Sequence, residues 1–275
     1  MNYSELTAKS FALRRDVLDM VYHAKSGHIG GDFSVMDILI TLYYLQMNIS
    51  KDNLLDPERD RLILSKGHTV EVLYAILADK EFFDRSSLLS FMQYGTSYIG
   101  HPTKRVNGIE VGTGSLGHGL SFGVGMAIAG KMDNMNYRVY VVMGDGELGE
   151  GSVWEGAMAA SHYRLDNLTA IIDRNRLQIS GTTEEVMPQE NLVERWTAFG
   201  WNVIKVNGHR IDEINEAINL AKETKNKPTI IIADTIKGYG YSKAENQLSW
   251  HHLVPDKNQY EEAMLELRQR EVNSL

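Results

Sequence analysis

Along this chain, short β-branched apolar runs alternate with stretches of helical period. Arg61-Leu-Ile-Leu-Ser65, Arg138-Val-Tyr-Val-Val-Met143, Leu168–Asp173, Asn202–Val206 and Thr229–Thr235 are strand-like, and continuous apolar runs of this kind mark strands buried on both faces. Between the last two, IDEINEAINLAKET sets Ile211, Ile214, Ile218 and Ala221 at helical spacing. Further helices are predicted over 4–24, opened by Ser4, and over 34–47, with Ser34 as N-cap. Others follow over VEVLYAILAD after His68, over SVWEGAMAASHY after Gly151, and over the tail EEAMLELRQREV. Residues 236–257 read as a long loop, a length that inside a compact domain is usually functional or disordered. Strands alternating with helices predict an α/β fold, a parallel sheet flanked by helices on both faces. In such sheets ligands bind beyond the carboxyl ends of the strands. His68, Asp145, the triplet Asp173-Arg174-Asn175 and Thr235 all follow strands, so they are expected along one edge.

Composition narrows the function classes. The 275 residues are 43% hydrophobic and 23% charged, which suits one soluble domain spanning 1–275. The formal net charge of −8 argues against a general nucleic-acid or membrane binder, while leaving room for a local basic pocket. With no cysteine, disulfides, thiolate chemistry and cysteine-ligated metals are excluded. No apolar run approaches the roughly 18 residues of a membrane span, and MNYSELTAKS has no signal-peptide core, so a cytoplasmic location is expected.

The candidate chemistry starts at GDGELGEG, residues 144–151, where Asp145 sits between two glycines at a strand end just ahead of a helix. Such a helix start ordinarily welcomes an anion. A metal between the carboxylate and a diphosphate would reconcile the two. If the next strand is a neighbour, Asn175 joins Asp145, and a carboxylate with an amide oxygen suits Mg²⁺ or Ca²⁺. The plainer reading is a helix cap and a turn. Gly112–Gly119 belongs to a stretch with seven glycines over 112–130. It lets backbone approach either a ligand or a neighbouring helix, with Gly119, Gly123 and Ala127 as a small-residue face. It is neither a P-loop nor a Rossmann fingerprint. Of nine histidines, His28, His68, His101 and His251 follow Gly or Trp in loop-like sequence. They are either structural or parts of one shared site that hydrogen-bonds hydroxyls and moves protons. No HxxxH or HxH spacing supports zinc. His23 and His162 fall in helical runs, and His209 is expected to start a helix. Ser152-Val-Trp-Glu155 matches a capping box, and Glu150 is a site or interface residue.

Together these motifs resemble a family. SGHIGGDFS, DRLILSKGH, GHP, GTGSLGHGLSFGVGMA, GDGELGEGSVWEGA, DRN and SWH occur in transketolase order over nearly the whole chain. It is similar to the cofactor-diphosphate half of transketolase carried as a separate chain. The resemblance implies a thiamine diphosphate-binding fold and transfer of a two-carbon ketol unit from a ketose phosphate to an aldose phosphate. It implies that Asp145, Asn175 and the Leu177 carbonyl hold Mg²⁺ or Ca²⁺. Gly114, Ser115, Leu116 and Gly146 would contact thiamine diphosphate. His68 and His251 would lie near the diphosphate and the sugar. His28 and His101 would bind the donor's hydroxyls, with His251 or His28 assisting proton removal. Glu150 and Glu155 would join an acidic network linking two cofactor sites.

Several positions depart from the family. DRN stands where Asp-Asn-Asn or Asp-Asp-Asn is usual, and GSLGHG where GPLGQG is common. Asp32-Phe33 replaces smaller residues, and Thr69-Val70-Glu71 follows His68 where alanine-rich sequence is usual. The catalytic glutamate and the phosphate-gripping arginines of transketolases lie in a further domain. The resemblance therefore implies a partner subunit with the pyrimidine-binding half, in an α2β2 assembly. The rival readings are a transketolase-like pair for a branched or sulfonated sugar and the α subunit of a 2-oxoacid dehydrogenase. A 1-deoxyxylulose-5-phosphate synthase and a non-catalytic scaffold fit less well.

Overall fold

The five apolar runs become one parallel sheet in the computed structural model, which describes all 275 residues. In chain order the strands are β1 (Arg61–Leu64), β2 (Val139–Gly144), β3 (Leu168–Arg174), β4 (Leu177–Gln178), β5 (Gly181–Thr182), β6 (Asn202–Asn207) and β7 (Thr229–Asp234). The sheet order is β1-β2-β3-β7-β6, with β4 and β5 as a separate antiparallel pair. The register sets Gly144 beside Asp173 and Arg174 beside Asp234. β2 and β3 are therefore neighbours that end together.

Nine α-helices accompany the strands: α1 (Tyr3–Ala24), α2 (Ile29–Thr41), α3 (Val70–Asp79), α4 (Gly119–Met132), α5 (Gly151–His162), α6 (Thr183–Val186), α7 (Leu192–Ala198), α8 (Ile211–Glu223) and α9 (Lys257–Ser274). Successive strand side chains point to opposite faces, so each strand feeds two cores. Leu62, Leu64, Tyr140, Val142, Ile171 and Ile231 join a core covered by α1, α2, α3, α8 and α9. Ile63, Val141, Met143, Ala170, Ile172 and Ile232 join the opposite core, under α4, α5 and α7. Burial on both faces is why β2 and β3 show no polar alternation.

Four helix starts differ from the sequence expectation. Asn2, not Ser4, caps α1, in a capping box with Glu5. α2 begins at Ile29, ahead of Ser34, and all thirteen of its residues are buried. A helix buried all round has no polar face to mark its start. Ser34 lies inside it and hydrogen-bonds Asp173 instead. The Ser152–Glu155 capping box does not form: Glu150 is the N-cap of α5, and the Ser152 hydroxyl donates to the Gly117 carbonyl. His209 also falls just before α8, which starts at Ile211.

Candidate active site

β1, β2, β3 and β7 are adjacent and parallel, so their carboxyl ends open on one side. Beyond them Lys66 and His68 follow β1, Asp145 follows β2, Asn175 follows β3 and Lys237 follows β7. They line a cavity of about 430 Å³.

One wall carries oxygens. Asp145 is only 2% exposed. Its Oδ1 accepts the Gly146 N–H at 2.8 Å, and its Oδ2 accepts the Arg176 backbone N–H and an Arg174 guanidinium N–H at 3.3 Å. Burial and the nearby Asp173 charge raise its pKa despite these donors. The Asn175 Oδ1 accepts the Leu177 N–H at 3.1 Å, and the Leu177 carbonyl accepts from Lys237 Nζ at 3.3 Å. A Cβ at Gly146 would fall 3.0 Å from Gln178 Cβ, so glycine eases the close approach of the β2 turn to β4. A buried carboxylate, an amide oxygen and a backbone carbonyl are hard donors that fit Mg²⁺ or Ca²⁺. With a single acid among them, the set matches a metal that also takes phosphate oxygens.

The opposite charge comes from two lysines that are each 2% exposed. Lys66 pairs with Asp173, which also accepts from the Ser34 and Thr235 hydroxyls. Lys237 is lowered to about 8 by burial and by the Lys66 charge. Glu147 ties the floor together. It accepts from the Ser65 hydroxyl and from the backbone N–H groups of Gly117 at 2.8 Å and Gly144 at 3.1 Å. The glycine-rich loop is thereby fixed to the ends of β1 and β2.

Histidines form the roof. The His28, His68 and His251 ring centroids lie 5.2–5.8 Å apart. Burial lowers His28 to about 4 and His251 to about 3, helped by the Lys237 charge, and burial also lowers His68. All three are therefore neutral imidazoles at pH 7. The His251 Nδ1 lies 3.0 Å from Lys237 Nζ. An ammonium only donates, so that Nδ1 accepts and the ring proton sits on Nε2. The loop bearing Lys237 and His251 is pinned by His209. Its Nδ1 is 2.8 Å from Asp37, its Nε2 accepts the Ile236 N–H, and its ring stacks on Tyr239 at 3.7 Å.

Comparison with known proteins decides the lineage. Residues 7–263 match the family described as transketolase, thiamine diphosphate binding domain. The chain belongs to the transketolase family. It is 50% identical over 98% of its length to an apulose-4-phosphate transketolase subunit of Phocaeicola vulgatus, covering 96% of that protein. It is 41% identical to the 6-deoxy-6-sulfo-D-fructose transketolase subunit SqwG of Clostridium sp., again over 96% of each. Against human transketolase it is 40% identical but spans only 41% of that longer chain. It superposes on the crystal structure of Campylobacter jejuni transketolase with a TM-score of 0.91 at 30% identity, covering 46% of it. The family is one of thiamine diphosphate-dependent transferases, which supports the α/β fold and the enzyme class read from the sequence.

Seen as a transketolase site, most sequence-predicted residues converge. His28, His68, Leu116, Asp145, Gly146, Glu150, Asn175, Leu177 and His251 line the cavity. Gly114 and Ser115 are exposed beside it, with the His101 ring 3.3 Å from where a Gly114 Cβ would stand. His101 is itself exposed and outside the lining. Glu155 is exposed on α5 and also outside the lining. His252 adds a further ring 4.7 Å from His28. Lys66, Glu147 and Lys237 went unread in the sequence, and His209 was read only as a helix start. The first two stand in quoted motifs, SKGH and GDGELGEG, and a charged residue fixed among glycines at a strand end was the available signal.

Proposed function

We propose that this chain is the diphosphate-holding subunit of a two-chain transketolase. It serves transfer of a two-carbon ketol unit from a ketose phosphate to an aldose phosphate. The observation that carries the reading is one cavity with an oxygen-donor wall, two buried ammonium groups and three neutral imidazoles. Asp145, Asn175 and the Leu177 carbonyl hold Mg²⁺ or Ca²⁺, and Lys66 and Lys237 face the diphosphate. Gly114, Ser115, Leu116 and Gly146 approach the cofactor through backbone. Thiamine diphosphate, when bound, supplies the electron sink for carbon–carbon cleavage. His28, His68, His101 and His251 hydrogen-bond the sugar's oxygens, and the cavity walls exclude bulk water from it.

A second chain completes the enzyme in this reading, as an α2β2 assembly with Glu150 and Glu155 near the contact. Two features support it. Relatives matched over 96% of their length are named as subunits. α4 exposes Phe122 and Met132, α5 exposes Met158, and Tyr163 just past α5 is exposed as well, which leaves apolar surface on these two neighbouring helices for a partner. No helix is long and apolar enough to cross a membrane, and a cytoplasmic location remains part of the proposal. The donor sugar we favour is apulose 4-phosphate, because the relative at 50% identity is named for it. The test is ketol transfer with thiamine diphosphate and Mg²⁺, by this chain alone and with the protein encoded beside it. Activity only in the mixture, faster with apulose 4-phosphate than with xylulose 5-phosphate, is expected. Full turnover by the pure chain alone would overturn the two-chain reading.

A further inference from the structure

Two departures from the family pattern, Asp32 in α2 and Glu71 in α3, meet beneath His28. Both are fully buried. Asp32 Oδ1 accepts the Val72 backbone N–H at 3.2 Å. Its Oδ2 and both Glu71 carboxyl oxygens have no hydrogen-bond partner. No cation pairs with either acid. Lys66 is committed to Asp173, and Lys237 to the Leu177 carbonyl and His251. Tyr74, also on α3, donates its hydroxyl to the Ile99 and His101 carbonyls. Buried carboxyls with few donors and no paired cation take protons instead of staying ionised. Accordingly burial raises both, Glu71 to about 8 against the backbone N–H groups of Glu71 and His28, and Asp32, with the Glu71 charge adding, against the Val72 N–H and the more distant Lys66 charge.

A protonated carboxyl needs an acceptor, and one faces it. The His28 Nδ1 lies 3.9 Å from Glu71 Oε1 and is itself buried without a partner. Both unsatisfied atoms are answered if a side-chain rotation closes that gap. Gly27 leaves the room, since a Cβ there would fall 2.7 Å from Glu71 Oε1.

We propose that Glu71 is a positioning residue: its carboxyl O–H donates to His28 Nδ1 and holds His28 as the Nε2–H tautomer. His28 then presents a hydrogen-bond donor to ligand oxygens and is not a base. Asp32 reinforces this, because a second buried acid disfavours ionising the first. The ligand's identity as a sugar phosphate rests on the ketol-transfer reading, whereas the tautomer does not.

The experiment is ¹⁵N NMR of histidine-labelled full-length chain at pH 7, with the His28 signals assigned by their loss in His28→Gln. The expected pattern is an unprotonated Nδ1 and a protonated Nε2. Glu71→Gln, whose amide still donates, should keep that pattern and hold kcat/KM of the assembled enzyme within about threefold of wild type. Glu71→Leu should lose the pattern and lower kcat/KM by about 10- to 100-fold. A protonated Nδ1 in wild type, or an unchanged tautomer in Glu71→Leu, would overturn the assignment. Should Glu71→Leu fail to fold, wild type and Glu71→Gln still decide, because Nδ1–H in either contradicts it. The spectra need neither partner nor sugar, so a failure here is separable from a failure of the ketol-transfer reading.

Discussion

His28 and His251 are imidazoles held neutral by burial, and that has a measurable consequence at acid pH. Their ordinary value is 6.5, and the folded chain lowers them to about 4 and about 3. Between those limits the unfolded chain binds protons that the folded chain does not, so stability falls as pH drops below about 6.5. From pH 7 to pH 5 the melting temperature should therefore fall further in wild type than in the His28→Gln/His251→Gln double variant. Parallel slopes in a thermal-melt series would contradict this. The Glu71 contribution has the opposite sign, since a raised acid loses stability as pH rises, and burial, its largest cause, acts in both proteins. These side chains also show what a sequence conceals. A shared site for His28, His68, His101 and His251 was one of two readings their glycine and tryptophan neighbours offered, and of the four the rings of His28, His68 and His251 meet while His101 stays outside the lining. That Asp32 and Glu71 lie under His28 was not, because only the packing of α2 on α3 brings them together.

At the scale of elements, the strands were legible because β2, β3 and β7 carry continuous apolar runs buried on both faces, and α8 because one face of it meets solvent. α2 was misplaced for the converse reason: it is buried at every position. The short α7 and the β4–β5 hairpin, seven residues and two residues per strand, were not read at all. The small-residue face of α4 is present, but it meets the sheet where a ligand or a neighbouring helix was expected. Gly119 and Gly123 pack against Ser65 and Val141 at the sheet. A Cβ on Gly119 would stand 2.2 Å from Ser65 Oγ and 2.9 Å from its Cα, so backbone must move. Gly119→Ala should cost about 1–3 kcal/mol by overpacking, seen as a melting point several degrees lower. Ser65 is also the hydroxyl that donates to Glu147, so the glycine-rich loop should loosen with it. An unchanged melting point would show that α4 has slack which the packing does not reveal.

For the whole molecule, the topology is what makes a site. Four adjacent parallel strands deliver Lys66, Asp145, Asn175 and Lys237 to one edge from distant parts of the sequence. Strand adjacency was the condition on which the Asp145–Asn175 pairing rested, and the register of β2 with β3 meets it. The central claim is that this edge holds a diphosphate through a metal on Asp145. The most direct test titrates thiamine diphosphate into the full chain with Mg²⁺ and then with chelator, following tryptophan fluorescence, for wild type and Asp145→Ala. The account predicts saturable, Mg²⁺-dependent quenching in wild type. It predicts binding weaker by about 100-fold or more in the variant, which corresponds to roughly 2.7 kcal/mol. Equal affinity in the two proteins, or wild-type binding indifferent to the chelator, would contradict it.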